Sequence, residues 1–318
     1  MKKYLKILIK ILISTAAICY ILSKFNLSEI FNNLSQADFW LFFLVILSGI
    51  INNFLCTWRW SLINKKIYGI SMPYFKMVKL YFIGVFFNLF LPTSIGGDAV
   101  KAYHSYKETQ NNKKAVNSII LDRVTGLLIL LFIGYFSLII AAVLGINIDS
   151  KIIKFLEIFL IVLCSGFILA LIIRFSKKAF FEKNRFLNFI KNIDDDFFML
   201  LSKPSLLLST SAISVLFQLL SISNSYILAQ AIGLDIPFIY FLIFIPIISI
   251  LITLPISFFG IGVRETLYVL LFSTIGIMPE KIIAVSFLSF LVLVIIGIGG
   301  GIIYATDKHD KPITSLSL

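Results

Sequence analysis

The sequence predicts an all-α fold, a polytopic transmembrane helix bundle, on three observations. Hydrophobic residues make up 59% of the chain and charged residues 14%, with a mean hydropathy of +1.00, whereas soluble domains carry about 45–50% and about 25%. Several apolar runs exceed the ~18 residues that mark a spanning helix, and the period-two alternation of an outer-membrane barrel is missing. Basic residues concentrate at the amino terminus (Lys2, Lys3, Lys6, Lys10) and in segments 58–79, 101–123 and 174–204, the pattern of cytoplasmic loops. The net charge of +12 therefore reads as a topology signal, and no nucleic-acid partner is expected.

The elements follow in order. A first helix over about residues 5–22 has the Lys-rich flank of a signal peptide. Lys10 interrupts it, however, and Ile18 before Cys19 is a poor cleavage context, so the helix is expected to be retained. A second helix, about 39–57, ends in "TWRW", aromatic and basic as an interface anchor would be. Residues 80–91 form an apolar run of about a dozen residues, short of the ~20 needed to cross. Longer runs follow at about 124–146, 152–173 and 206–232, and the polar loop 174–204 holds "NIDDDF", read as solvated. Segment 238–254 carries Pro246 within it; a break at 255–262, a short run 266–277 and a last helix at about 282–304 complete the chain.

With the basic loops inside, this gives about six full spans, both termini cytoplasmic, and two Pro/Gly-broken re-entrant hairpins at 80–100 and 238–277. The alternative takes 238–257 and 264–277 as two crossings. One transmembrane domain is expected over 1–318, with inverted-repeat halves of about 1–150 and 151–306 and a cytoplasmic tail at 307–318. The bacterial-type basic pattern suits a plasma (inner) membrane.

The breaks are the informative part. "LPTSIGGDAVK" and "LPISFFGIGVRE" align on Leu91-Pro92-x-Ser94 and Leu254-Pro255-x-Ser257, which sets Gly97 opposite Gly260. Proline removes a backbone donor and glycine permits turns that other residues resist. Backbone groups freed in hydrocarbon cost several kcal/mol unless they line protein or a wet cavity. Pro92 and Pro255 are thus expected to be structural breaks, and paired interrupted segments point to a transporter-type site. Half-helix amino termini there would aim positive dipole ends at an anion.

Charges flank both breaks. Asp98 and Lys101 follow the first, Arg264 and Glu265 the second, and Asp122 and Arg123 are read as opening the intervening helix. Intramembrane charges are expensive and tend to serve function. Arg264, Arg123 and Lys101 would contact phosphate, with Asp98, Asp122 and Glu265 orienting them or binding a cationic group or proton. The competing reading is of helix-end charges that pair locally. Ser211, Ser214, Gln218, Ser221 and Ser225 recur at helical spacing on one face, either a polar wall of a substrate path or a seam for close packing. Gly297 and Gly301 fit a small-residue packing face. Cys19, Cys56 and Cys164 lie in apolar runs, and His104 and His309 are isolated; no metal site and no cofactor is expected.

"LPTSIGGD", "LDRVTGLL", "LPISFFGIGVRE" and the "WRW" after the second helix resemble the flippase-like transmembrane region of lysylphosphatidylglycerol synthases and its stand-alone relatives. The likeness spans nearly the whole chain. It implies that Gly96, Gly97, Asp98, Asp122, Arg123, Gly260, Gly262, Arg264 and Glu265 occupy the family's patterned positions, with Asp122 where relatives often carry Glu. Relatives are implicated in moving or handling charged phospholipids, and some accompany lipid-linked sugar pathways. Aminoacylating members append a soluble transferase domain. This chain ends at Leu318, so lysyl transfer is not expected of it alone; a membrane-embedded enzyme acting on a lipid phosphate is the least favoured alternative, given two histidines and no metal cluster.

The expected function is binding of phospholipid or lipid-linked phosphate headgroups and their translocation between leaflets, with substrate contacts including Lys101 and Gln218. No nucleotide-binding loop is recognisable, so movement would be passive or ion-coupled, through Asp98 or Glu265. The alternative is a non-transporting membrane subunit that scaffolds a lipid-modifying or glycosyl transferase. Partners are then membrane lipid and, in the second case, a transferase; oligomerisation stays open.

Overall fold

The computed structural model describes residues 23–90, 96–154, 157–158, 195–253 and 260–307. Their regular structure is helical throughout. The expected first helix, most of the 152–173 run, the 174–204 loop up to residue 194, and both Pro92 and Pro255 lie outside the described residues.

A short helix, α1 (Leu27–Ser35), precedes the first described long one; Asn26 caps it by accepting from the Ser28 amide. Helix α2 (Phe39–Ile63) starts where the Asp38 carboxylate accepts the amides of Trp40 and Leu41, satisfying donors that a helix start leaves open. It ends in a π-helical turn, Asn64–Tyr68, closed by Gly69 in the left-handed region at φ 68°. Helices α3 (Tyr74–Phe90) and α4 (Gly96–Thr109) form the first hairpin. Helix α5 covers Asn112–Val143, α6 Pro204–Ala231, α7 Phe238–Thr253, α8 Val263–Phe272 and α9 Pro279–Thr306.

Four stretches are long and apolar enough to cross a membrane: Phe39–Tyr68, Asn112–Val143, Pro204–Ala231 and Pro279–Thr306. They correspond to four of the expected spans. One expectation is corrected: Asp122 and Arg123 do not open a helix, because Asn111 caps α5 through the Lys114 amide and the helix is already three turns old at Asp122. Another concerns "DDD": Asp196 is no solvated loop residue, since Tyr68 Oη and Asn117 Nδ2 donate to its Oδ2 at 2.9 and 2.7 Å.

Among the described residues the core falls into one large cluster and three smaller ones. Around α6–α9, Phe241 and Phe244 pack their rings on Phe272 at 5.0 Å each. A second cluster gathers Trp60, Met77, Leu80, Val100 and Ile119 under the first hairpin. Phe39, Trp40, Phe132, Leu208 and Ile302 project outward, as expected where the solvent is lipid. Lipid tails are as apolar as the core, so close packing must hold such helices together. Glycines provide it here. A Cβ on Gly97 would lie 2.5 Å from the Gly84 carbonyl oxygen, one on Gly301 would meet the Phe86 ring at 2.7 Å, and Gly297 and Gly300 abut Leu89 and the Phe82 carbonyl. The Gly297 and Gly301 packing face is thus observed, seated against α3.

Helix α9 also shows how the hairpins are arranged. Lys79 on α3 reaches Asp307 beyond the end of α9 at 3.4 Å, while Leu89, near the end of α3, abuts Gly297. Helix α8 comes from the other end: it joins α9 through residues 273–278, and its first turn sets Arg264 over Phe290 and Glu265 beside Ser286. One leg of each hairpin, α3 and α8, therefore runs along α9, the two from opposite ends, and the described residues nearest each break meet α9 near its middle.

Candidate functional site

At the first hairpin, Gly96 and Gly97 open α4 with helical backbone, and the Gly97 amide donates to Asn88 Oδ1 at 2.7 Å. One of the amides at this helix start is thus taken by a side chain of α3. Asp98, one residue on, takes Lys101 Nζ on Oδ1 at 3.0 Å and the Arg123 guanidinium on Oδ2. Lys101 is buried, with its ammonium 4.2 Å from the Tyr81 ring centroid and 5.6 Å from that of Trp60, which favours the charge electrostatically.

Asp122 faces a different partner. Arg59 Nε donates to its Oδ1 at 2.8 Å, with both side chains almost wholly buried. Arg59 Nη1 donates to Ser214 Oγ at 3.0 Å, and Tyr81 Oη donates to Asp122 Oδ2 at 3.0 Å. Tyr81 therefore joins the two ion pairs, its face to Lys101 and its hydroxyl to Asp122. The guanidinium fits because residue 126 is glycine: a Cβ there would lie 2.9 Å from Arg59 Nη1. Gln218 Nε2 donates to the Gly126 carbonyl at 3.0 Å, so α6 closes the same spot. Arg59, Lys101 and Arg123 thus meet the carboxylates of Asp98 and Asp122 in three ion pairs.

The second tip is built differently. Gly260 and Gly262 have φ of 76° and 80°, a conformation that side chains bearing Cβ resist. Glu265 Oε2 accepts the Gly262 amide at 2.7 Å and its Oε1 accepts Ser286 Oγ at 3.1 Å. Both carboxylate oxygens are thus committed to the turn and to α9. Arg264 is partly buried, with its guanidinium carbon 5.8 Å from the Phe290 ring centroid. Among the described residues it makes no ion pair. One turn on, Tyr268 Oη and Ser225 Oγ are hydrogen-bonded at 3.2 Å.

Gly96, Gly97, Asp98, Lys101, Asp122, Arg123 and Gln218 accordingly gather around one network, and Gly260, Gly262, Arg264 and Glu265 around another. The expected phosphate-contacting trio is split: Lys101 and Arg123 meet at Asp98, whereas α8 packs on α7 and α9. The cause is the opposed entry of the hairpins. Sequence reasoning missed Arg59, Tyr81 and Asn88. "TWRW" resembled an interface anchor, yet only Trp58 faces outward; Arg59 and Trp60 are buried. An arginine inside an apolar helix was the available signal. The polar face of α6 serves both readings, since Ser214 and Gln218 bond to neighbouring helices while Ser221 and Ser225 line a cavity.

No curated protein matches the chain. A family model described as "Lysylphosphatidylglycerol synthase TM region" matches residues 7–301. The chain belongs to this family of multi-pass membrane proteins.

Proposed function

We propose that this member of the lysylphosphatidylglycerol synthase transmembrane-region family binds the phosphate-bearing headgroup of a membrane lipid at the α7–α8 tip and passes it between leaflets. The tails stay in the bilayer. Arg264 carries the reading. It sits beside two positive-φ glycines, against the middle of a spanning helix, without a carboxylate partner among the described residues. A charge at such depth costs ~2.5–3.5 kcal/mol even on the lenient insertion scale, and intramembrane charges mark substrate paths. A guanidinium can fork two hydrogen bonds to phosphate oxygens. Arg123, the most exposed member of the Asp98 network, gives the headgroup a second, weaker stop. In this reading the chain lies in the plasma membrane with both termini cytoplasmic, and the hairpins enter from opposite faces.

Proteoliposomes with a headgroup-labelled anionic phospholipid test it by leaflet-resolved quenching. Wild type should equilibrate the label, and Arg264→Ala should slow it about tenfold or more, the cost of charge-assisted hydrogen bonds. A folded wild type that moved neither phospholipid nor lipid-linked sugar would refute translocation in favour of a subunit that holds a transferase.

A further inference from the structure

Between the levels at which the two tips meet α9, the bundle holds a cavity of about 270 Å³. Asn52 of α2, Ser221, Asn224 and Ser225 of α6, and Ser289 of α9 give it a polar wall; Val45 and Leu228 are among the aliphatic side chains that complete it. Among the described residues, no Lys, Arg, Asp or Glu lines it. Asn52 is 8% exposed, yet among the described residues its Oδ1 accepts no hydrogen bond, and neither does the buried Oδ1 of Asn224. Buried acceptors without donors are costly in hydrocarbon, and two of them border one uncharged space.

We propose that this cavity binds a neutral, hydroxyl-rich group the size of a glycerol or sugar unit. A hydroxyl donates and accepts, as a carboxamide does, so ligand hydroxyls can satisfy the Asn52 and Asn224 carbonyls and accept from the amides and serines. A phosphate would find no cation here, and a metal cation no carboxylate. The volume equals about nine waters at ~30 Å³ each, too much for a single ion. An acyl chain would leave both carbonyls unpaired. The site is also distinct from the charged network: Asn52 precedes Arg59 by seven residues on α2, and Ser221 follows Ser214 by seven on α6, about two turns or ~10 Å in each case. The inference therefore goes beyond the phosphate reading and does not need it.

The test uses the purified full chain in phosphatidylcholine nanodiscs, with binding of glucosyl-diacylglycerol, diacylglycerol, phosphatidic acid or free glucose followed by native mass spectrometry and thermal shift. Glucosyl-diacylglycerol should bind in preference to diacylglycerol. Asn52→Leu and Asn224→Leu should each weaken it about tenfold and leave phosphatidic acid unaffected. A response to free glucose that matches or exceeds the glycolipid assigns the site to a soluble polyol and keeps its chemistry. Wild type indifferent to both glucose-bearing probes overturns the proposal, as do leucine variants that bind like wild type. If those variants do not fold, the wild-type preference decides. Failure with phosphatidic acid alone counts against the phosphate reading instead.

Discussion

The two hairpin tips share a backbone solution and differ in how they treat charge. In each, an amide at a glycine donates to a side-chain oxygen at 2.7 Å, Gly97 to Asn88 and Gly262 to Glu265. Beyond that they diverge. The first break feeds its aspartate into a network of paired groups that reaches α2, α5 and α6 through Tyr81, Arg59 and Ser214. The second spends its carboxylate on its own turn and leaves Arg264 over an aromatic ring. A charge beside a break is therefore not one kind of evidence. Where it is matched it holds helices together; where, as at Arg264, it has no carboxylate partner among the described residues, it is the contact that we propose for a ligand.

The comparison can be broken most sharply at Asp122. Asp122→Asn strands Arg59 in a buried site, and losing one partner of a buried pair costs about 3–5 kcal/mol. Denaturant titration in detergent should show that loss, and the double variant Arg59→Leu/Asp122→Leu should recover most of it. A single variant as stable as wild type would dissolve the structural role of the first network. Gly97→Ala comes next. Its methyl would lie 2.5 Å from the Gly84 carbonyl oxygen and 2.8 Å from the Gly84 Cα, and overpacking of this kind costs about 1–3 kcal/mol. Thermal unfolding should show the loss, with Gly84→Ala milder because its new methyl clears the Gly97 Cα by 3.2 Å. Arg264→Gln should move stability least, within about 0.5 kcal/mol, because among the described residues the side chain makes a ring contact and no ion pair. A loss as large as that of Asp122→Asn would place Arg264 in a structural pair and remove the contrast.

The long helices were legible because an apolar run of sufficient length has few other places to go. So were the turn glycines Gly260 and Gly262, since glycine's backbone freedom is local, and the Gly297 and Gly301 face, since small-residue spacing is periodic. What was not legible is long-range pairing. Nothing near Asp122 in the chain indicates that its partner lies 63 residues earlier. Local cues also misplaced the start of α5: the polar run 112–118 looks like loop, but Asn111 caps it and burial of Asn117 and Ser118 holds it against the bundle. The cavity was hidden for a related reason. Asn52 lies on a helix whose hydropathy signals only a span, and its neighbours come from α6 and α9.

The Gly84–Gly97 contact has a mechanical consequence. With backbone against backbone and no side chain between, the two legs of the first hairpin have little freedom to slide or part without losing the fit that joins them. They form a single strut, braced along α9 by Gly300 at the Phe82 carbonyl. Any motion of this part of the bundle must then displace the strut whole or flex elsewhere, at positions such as Gly260 and Gly262, whose positive φ other residues resist.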